Sequence, residues 1–288
     1  MTEFEKFMNH ATNGKSESTK KQYKLQYNKL FKLTGKPIGE TSEKKIMEIL
    51  DEIENKNNSQ ALLNIAFLVR KMEGLAVTQL EKKRKQDKQK LIESVKEKNV
   101  NLKENLPSYD DIVEYMNYLY DKDEWTDFII NYLLINLQVR NQDLDFIIVS
   151  RKKDANDTTK NYMWLQNTKA KVTFIRNVYK TAKIISPDGS DHGYGQKVNV
   201  IADKKFIIAL RRVLGCQKSG LDCGVFIPTK SAIAYHLQKS TYKQIGEAKY
   251  LKIIVDHFRN NIDKLKEISA NRGTSLSTIM NSYDINNI

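Results

Sequence analysis

The chain is poor in the residues that staple small secreted domains or build metal centres: two cysteines and four histidines occur in 288 residues. Cys216 and Cys223 could close a short loop, but in a reducing compartment they are expected as free thiols. Together with the scattered His10, His192, His236 and His257 they offer no zinc-ligand spacing, so neither a metal nor any other cofactor is expected. Phosphoryl chemistry in such a chain has to rest on cationic side chains. No glycine-rich loop of the form G-x-x-x-x-G-K-(S/T) occurs, which excludes the common nucleotide-phosphate cradle. No apolar run approaches the roughly 20 residues of a spanning helix, and the opening MTEFEKFMNH lacks a signal-peptide core. The expectation is a soluble, intracellular protein with no membrane partner.

Charge is what the chain has in excess. Lysine and arginine number 48 against 35 for aspartate and glutamate, a formal net charge of +13, which points to a polyanionic partner, nucleic acid first. The abundance of Lys, Asn and Ile suggests an AT-rich genome, such as that of a virus or mobile element. The length suits two medium domains, each able to bury its own core.

The first domain, 1–78, reads as all helical. Residues 1–15 are polar and expected to be loose. Ser18 and Thr19 cap a helix with Tyr23, Tyr27, Leu30 and Phe31 on one face, ending at Gly35. A second follows Thr41-Ser42 with Ile46, Ile49, Leu50 and Ile53 inward. The run ENKNNS breaks it, and QALLNIAFLVRKME forms a third. Residues 79–106 are dominated by charge, with eight basic and four acidic residues between Gln79 and Lys98, and read as a partly helical basic linker. Lys82, Lys83, Arg84 and Lys85 are its candidate DNA contacts. A solvated helix face would look the same.

Residues 107–288 form the second domain. Pro107 and the acidic first turn Asp110, Asp111 and Glu114 open a helix. A nearly continuous apolar helix from about Glu124 to Gln138 must lie at the domain centre. Four β-type stretches follow at 146–150, 161–166, 171–178 and 197–202. A long loop with Pro187, Gly189, Gly193 and Gly195 precedes the last. Helices then return to the C-terminus, one of them from about Lys249 to Lys264. The expected class is mainly α with a small antiparallel β-sheet, an α+β fold.

The last stretch, KEISANRGTSLSTIMNSYDINNI, places Leu276, Ile279, Met280 and Tyr283 at i, i+3, i+4 and i+7, the pattern of a short amphipathic helix. By periodicity Tyr283 is a core residue. The pattern G-T-S-x-x-T-x-x-x-x-Y, however, resembles the C-terminal signature of the tyrosine recombinases, the phage-integrase family. Thr274 stands where that family has a histidine. The resemblance implies a helical N-terminal core-binding domain that clamps DNA, followed by a catalytic domain. It also implies that Tyr283 is the nucleophile, forming a 3′-phosphotyrosyl bond without metal or ATP.

The other positions follow in the family's order. Arg140, at the end of the apolar helix, resembles the first catalytic arginine, with Asp143 as the acid three residues on. By itself R-x-x-D is equally the mark of a local ion pair. Lys180, in NVYKTAK, resembles the hairpin lysine that acts as general acid, with Lys183 and Lys169 as rivals. The H-x-x-R element falls on Lys249-Tyr250-Leu251-Lys252, so that Lys252 takes the second arginine's place and Lys249 the histidine's. Lysine neutralises a phosphate but lacks arginine's planar fork. Arg259 and Arg272 are possible substitutes whose spacing fits less well.

Three readings compete. An active recombinase or integrase, working on double-stranded DNA as a dimer or tetramer, is favoured. A non-catalytic DNA-binding protein on the same scaffold accounts for the missing arginine and histidine, and a type IB topoisomerase would use nearly the same site.

Overall fold

A computed structural model describes residues 1–285, apart from 14, 16, 167–169, 184–189 and 220–229 and the side chains of 216–219 and 230–233. Cys223, the Cys216 side chain and Lys169 lie outside the described residues. The chain divides into two compact units, Met1–Ser94 with Ile184–Gly193, and Val95–Lys183 with Tyr194–Ile288.

The first unit holds α1 (Glu3–Ala11), α2 (Glu17–Thr34), α3 (Glu43–Asp51), α4 (Lys56–Met72) and the first turns of α5 (Thr78–Lys103). The opening residues are ordered rather than loose. Thr2 and Glu5 close a capping box on α1, and Phe7 is fully buried. Glu3 anchors the helix, accepting hydrogen bonds from the Tyr27 hydroxyl at 2.6 Å and from the amides of Ile38 and Gly39 at 3.0 and 2.6 Å. Satisfying both carboxylate oxygens offsets the cost of withdrawing a charge from water.

Leu30, Ile46, Leu50, Leu62, Leu63 and Val69 form this unit's core with Leu80 of α5. The polar run at 54–59 starts a helix as well as ending one, because the Asn55 side chain caps α4 by accepting from the Asn58 amide at 3.1 Å. Residues 78–103 form one continuous helix, and the division between the units falls within it.

In the second unit α6 (Tyr109–Asp121) is capped by Ser108, and α7 (Trp125–Leu137) lies at the centre with Ile129 and Leu133 fully buried. Strands β1 (Phe146–Val149), β2 (Asn161–Gln166), β3 (Lys171–Arg176) and β4 (Lys197–Ile201) form one sheet in sequence order. The sheet is mixed rather than antiparallel. β1 and β2 run parallel, with Phe146 opposite Asn161, while β2–β3 and β3–β4 are antiparallel. The connection 150–160, with a 3-10 turn at Lys152–Asp154, is a crossover rather than a hairpin and returns the chain in the same direction.

The remaining helices are α8 (Lys204–Ser219), α9 (Lys230–Ser240), α10 (Gly246–His257), α11 (Ile262–Arg272) and α12 (Leu276–Tyr283). The single helix expected over 249–264 is two. The Asn261 side chain caps α11, accepting from the Lys264 amide at 3.0 Å. Ile262, the first residue of α11, is 52% exposed. The fold is α+β, mostly helical with a small mixed sheet. Among the described residues no helix is long and apolar enough to cross a membrane, and no cluster of metal-ligating side chains occurs.

Candidate active site

Arg140 is delivered by the end of α7. Gln138 stops that helix in the left-handed conformation, φ 45° and ψ 41°. Its side chain stabilises the turn, donating to the Ile135 carbonyl at 2.6 Å and accepting from Asn271 Nδ2 at 3.1 Å. The chain then enters a 3-10 turn, Asn141–Leu144. Asp143 Oδ2 accepts from the Arg140 amide at 3.2 Å and also meets Arg176 Nη1 at 3.2 Å. The spacing of Arg140 and Asp143 is therefore a structural contact, but through the backbone of Arg140 and not its guanidinium.

Arg176, the last residue of β3, was not foreseen. It is fully buried, and its guanidinium also donates to the Asn271 carbonyl at 3.1 Å and to Asn199 Oδ1 at 2.8 Å. Burial pushes its pKa down and that of Asp143 up, each opposed by the charge of the other. A lone arginine at the end of an apolar strand was the one available sequence signal.

Lys197, at the start of β4, was also missed. Its Nζ donates to the carbonyls of Ala270 and Asn271, the open C-terminal end of α11. It lies over the rings of Tyr179 and Tyr194, 4.8 and 5.4 Å from their centroids. Burial, and secondarily the Arg176 charge, pull its pKa down to about 8.

Lys180 is exposed, in the turn that follows β3. That turn is held on both sides. Asn161 Oδ1 accepts the amides of Asn177 and Val178 at 2.9 and 2.8 Å, and Thr181 Oγ1 donates to the Gly273 carbonyl at 2.7 Å. The sequence around Lys180 is thus packed on the G-T-S turn. Gly273 caps α11 at φ 62°, where a Cβ would lie 2.7 Å from Thr181 Oγ1 and 2.8 Å from Lys197 Nζ. The backbone of Thr274 closes the same turn, its amide donating to Ser269 O at 3.1 Å.

Tyr283 is the final residue of α12 and is half-buried. The end of that helix is fixed by Asn99, whose Nδ2 donates to the carbonyls of Ser282 and Asp284 at 3.1 and 3.3 Å. The Arg272 guanidinium lies 5.9 Å from the Tyr283 ring centroid. Arg272 is 5% exposed, pairs with Glu247, and donates to the carbonyls of Gln138 and Val139 at 3.2 and 2.8 Å.

On α10 the residue that meets this cluster is Glu247, whose Oε2 accepts from the Asn141 amide at 3.0 Å. At 100° per residue Lys249 and Lys252 stand about 160° and 140° round the helix from Glu247. They face one another's charge, and Lys252 has its pKa lowered by burial and by Lys249.

Arg140, Arg176, Lys197 and Arg272 interact electrostatically around two carboxylates, Asp143 and Glu247, leaving positive charge uncompensated. Burial and the Arg272 charge lower the pKa of Arg140, and its Nη1 is buried without a hydrogen-bond partner among the described residues. Tyr283 is among its charge neighbours. Such a site can hold an anion with a phenol beside it.

Of the four basic residues expected on DNA in the first unit, three have local partners. Lys83 pairs with Asp51 at 2.7 Å and Lys85 with Glu81 at 3.4 Å. Arg84 donates to Asn64 at 2.9 Å over the Phe67 ring. Lys82 is exposed.

No protein-family profile matches the chain, and no curated protein matches it. Among solved structures, one described as XerA recombinase is similar at 14% identity and a TM-score of 0.38, covering 99% of this chain and 94% of that one.

Proposed function

We propose that the chain breaks and rejoins double-stranded DNA, with Tyr283 as nucleophile. The observation that carries the reading is the uncompensated cationic cluster around Arg140, with its buried, unpartnered Nη1 and Tyr283 among its charge neighbours. The motif order from Arg140 to G-T-S…Y supports it. The phenol oxygen forms a bond to phosphorus as the bond to the 5′ oxygen breaks, giving a 3′-phosphotyrosine. The phenol gives up its proton to solvent water, and the departing 5′ oxygen takes one from the Lys180 ammonium. A 5′ hydroxyl attacking the phosphotyrosine reverses the step, so the energy of the phosphodiester is conserved.

Arg140 holds a non-bridging oxygen. Lys252 and Lys249 add positive charge on the side of α10 turned away from Glu247, where they meet the DNA backbone apart from Arg140, and Thr274 offers a hydroxyl in place of imidazole. The basic run Lys82, Lys83, Arg84 and Lys85 follows the phosphates, and the chain works as a dimer or tetramer on DNA.

One observation favours the non-catalytic reading. Arg272 is 5% exposed and held by Glu247 and two carbonyls, so the clamp on a phosphate falls to the half-buried Arg140. Incubation with a pool of nicked suicide duplexes, followed by denaturing electrophoresis, decides between them. A covalent adduct that disappears in Tyr283→Phe supports strand cleavage. Tight binding with no adduct overturns it.

A further inference from the structure

The backbone that carries Arg140 is fixed by side chains from three other places in the chain. The carbonyls of Gln138 and Val139 accept from Arg272, the Arg140 amide donates to Asp143, and the Asn141 amide donates to Glu247. Arg272 and Glu247 are themselves paired, so α7, α10 and α11 meet in one ionic clasp. Arg272 is also the group beside the Tyr283 ring. It therefore bonds the segment that presents Arg140 and lies 5.9 Å from the ring centre of the proposed nucleophile. Its burial leaves no surface with which to hold DNA.

The geometry points to Arg272, braced by Glu247, as a positioning residue that sets the relation between Arg140 and Tyr283 without touching the substrate. A guanidinium is required because it bonds two carbonyls and a carboxylate at once. An ammonium would reach these divergent partners only in part. A left-handed Gln138 just before Arg140 makes the placement sensitive, since the conformation persists only where its surroundings over-determine it.

The effect on cleavage rests on the strand-breaking function proposed above, so the test has a part that does not. Hydrogen exchange at the amides of Arg140 and Asn141 is measured in the free, full-length protein for the wild type, Arg272→Lys and Glu247→Gln. Both variants should exchange at least about tenfold faster there, with distant amides of the second unit unchanged. Unaltered exchange at residues 140–141 overturns the inference. Glu247→Gln, which preserves shape, keeps the test valid if Arg272→Lys does not fold.

On the nicked duplex pool, the single-turnover rate at saturating DNA should fall about 10²-fold in Arg272→Lys. The dissociation constant should stay within about threefold of wild type. A rate equal to wild type, or an affinity loss as large as the rate loss, overturns the positioning role. If exchange responds but the wild type forms no adduct, the clasp stands and the strand-cleavage reading fails.

Discussion

Asp143 and Arg176 form an ion pair of 3.2 Å with side chains 3% and 1% exposed, at the junction of the turn after Arg140 and the end of β3. The pair carries further bonds: Asp143 accepts from the Arg140 amide, and Arg176 donates to Asn199 and the Asn271 carbonyl. Breaking one partner of such a pair leaves a buried charge alone, at a cost of about 3–5 kcal/mol. Arg176→Met should lower the free energy of unfolding by that amount, and Asp143→Asn somewhat less. The double variant should recover part of the loss, which a double-mutant cycle in urea measures.

Lys197 should titrate near pH 8. Its folded pKa is depressed by burial and by neighbouring guanidinium groups. The stability it contributes is thus present above the unfolded value near 10.5 and lost as pH falls through about 8. Raising the pH across that window should stabilise the wild type relative to Lys197→Met. NMR of reductively methylated lysines follows the titration directly. Its midpoint should rise in Arg140→Met, because Arg140 is among the charges that lower it.

Gly273→Ala should be disruptive out of proportion to one methyl group. The residue has φ 62°, and the added carbon meets Thr181 Oγ1 and Lys197 Nζ below 3 Å. The left-handed conformation alone costs roughly 1–2 kcal/mol, and the contacts add to it by pushing the Tyr179–Thr181 turn away. A loss of about 2 kcal/mol or more in thermal or chemical unfolding is expected. Gly35→Ala provides the control: its φ is similar at 67°, but nothing lies within 4 Å.

Tyr283→Phe should abolish the covalent DNA adduct while leaving duplex affinity and stability nearly unchanged, because the ring still packs beside α11. Arg140→Ala should reduce adduct formation by roughly 10²–10³-fold, the usual loss when one oriented donor is withdrawn from a developing charge. An adduct that persists in Tyr283→Phe would move the nucleophile elsewhere.

Binding to duplex DNA should weaken steeply between about 50 and 200 mM salt, since each neutralised phosphate releases counterions. Fluorescence anisotropy across that range measures the slope. Lys82→Ala should flatten it by about one unit. Lys83→Ala should do less, because Lys83 already pairs with Asp51.

Local chemistry was legible in the sequence. The nearly continuous apolar run of 125–137 made α7 a central helix, the aromatic-rich stretch 161–166 became β2, and the apolar spacing of Leu276, Ile279, Met280 and Tyr283 placed α12. These follow from near-neighbour forces: side-chain spacing, capping and left-handed glycine act within a few residues. The helix break at 258–261 was hidden because the apolar spacing runs through it. The parallel pairing of β1 and β2 depends on where the crossover returns the chain.

Nothing local marks Arg176, Lys197, Glu247 or Arg272 as members of one cluster, since their hydrogen-bonding partners are 23 to 134 residues away. Sequence determined that Arg140 and Tyr283 sit at the ends of helices. Tertiary structure decided what surrounds them, because burial makes a charge seek whichever opposite charge or carbonyl the fold brings near. The cation placed beside Tyr283 is accordingly Arg272, one residue before the glycine, a position that spacing against a family pattern had ranked lower.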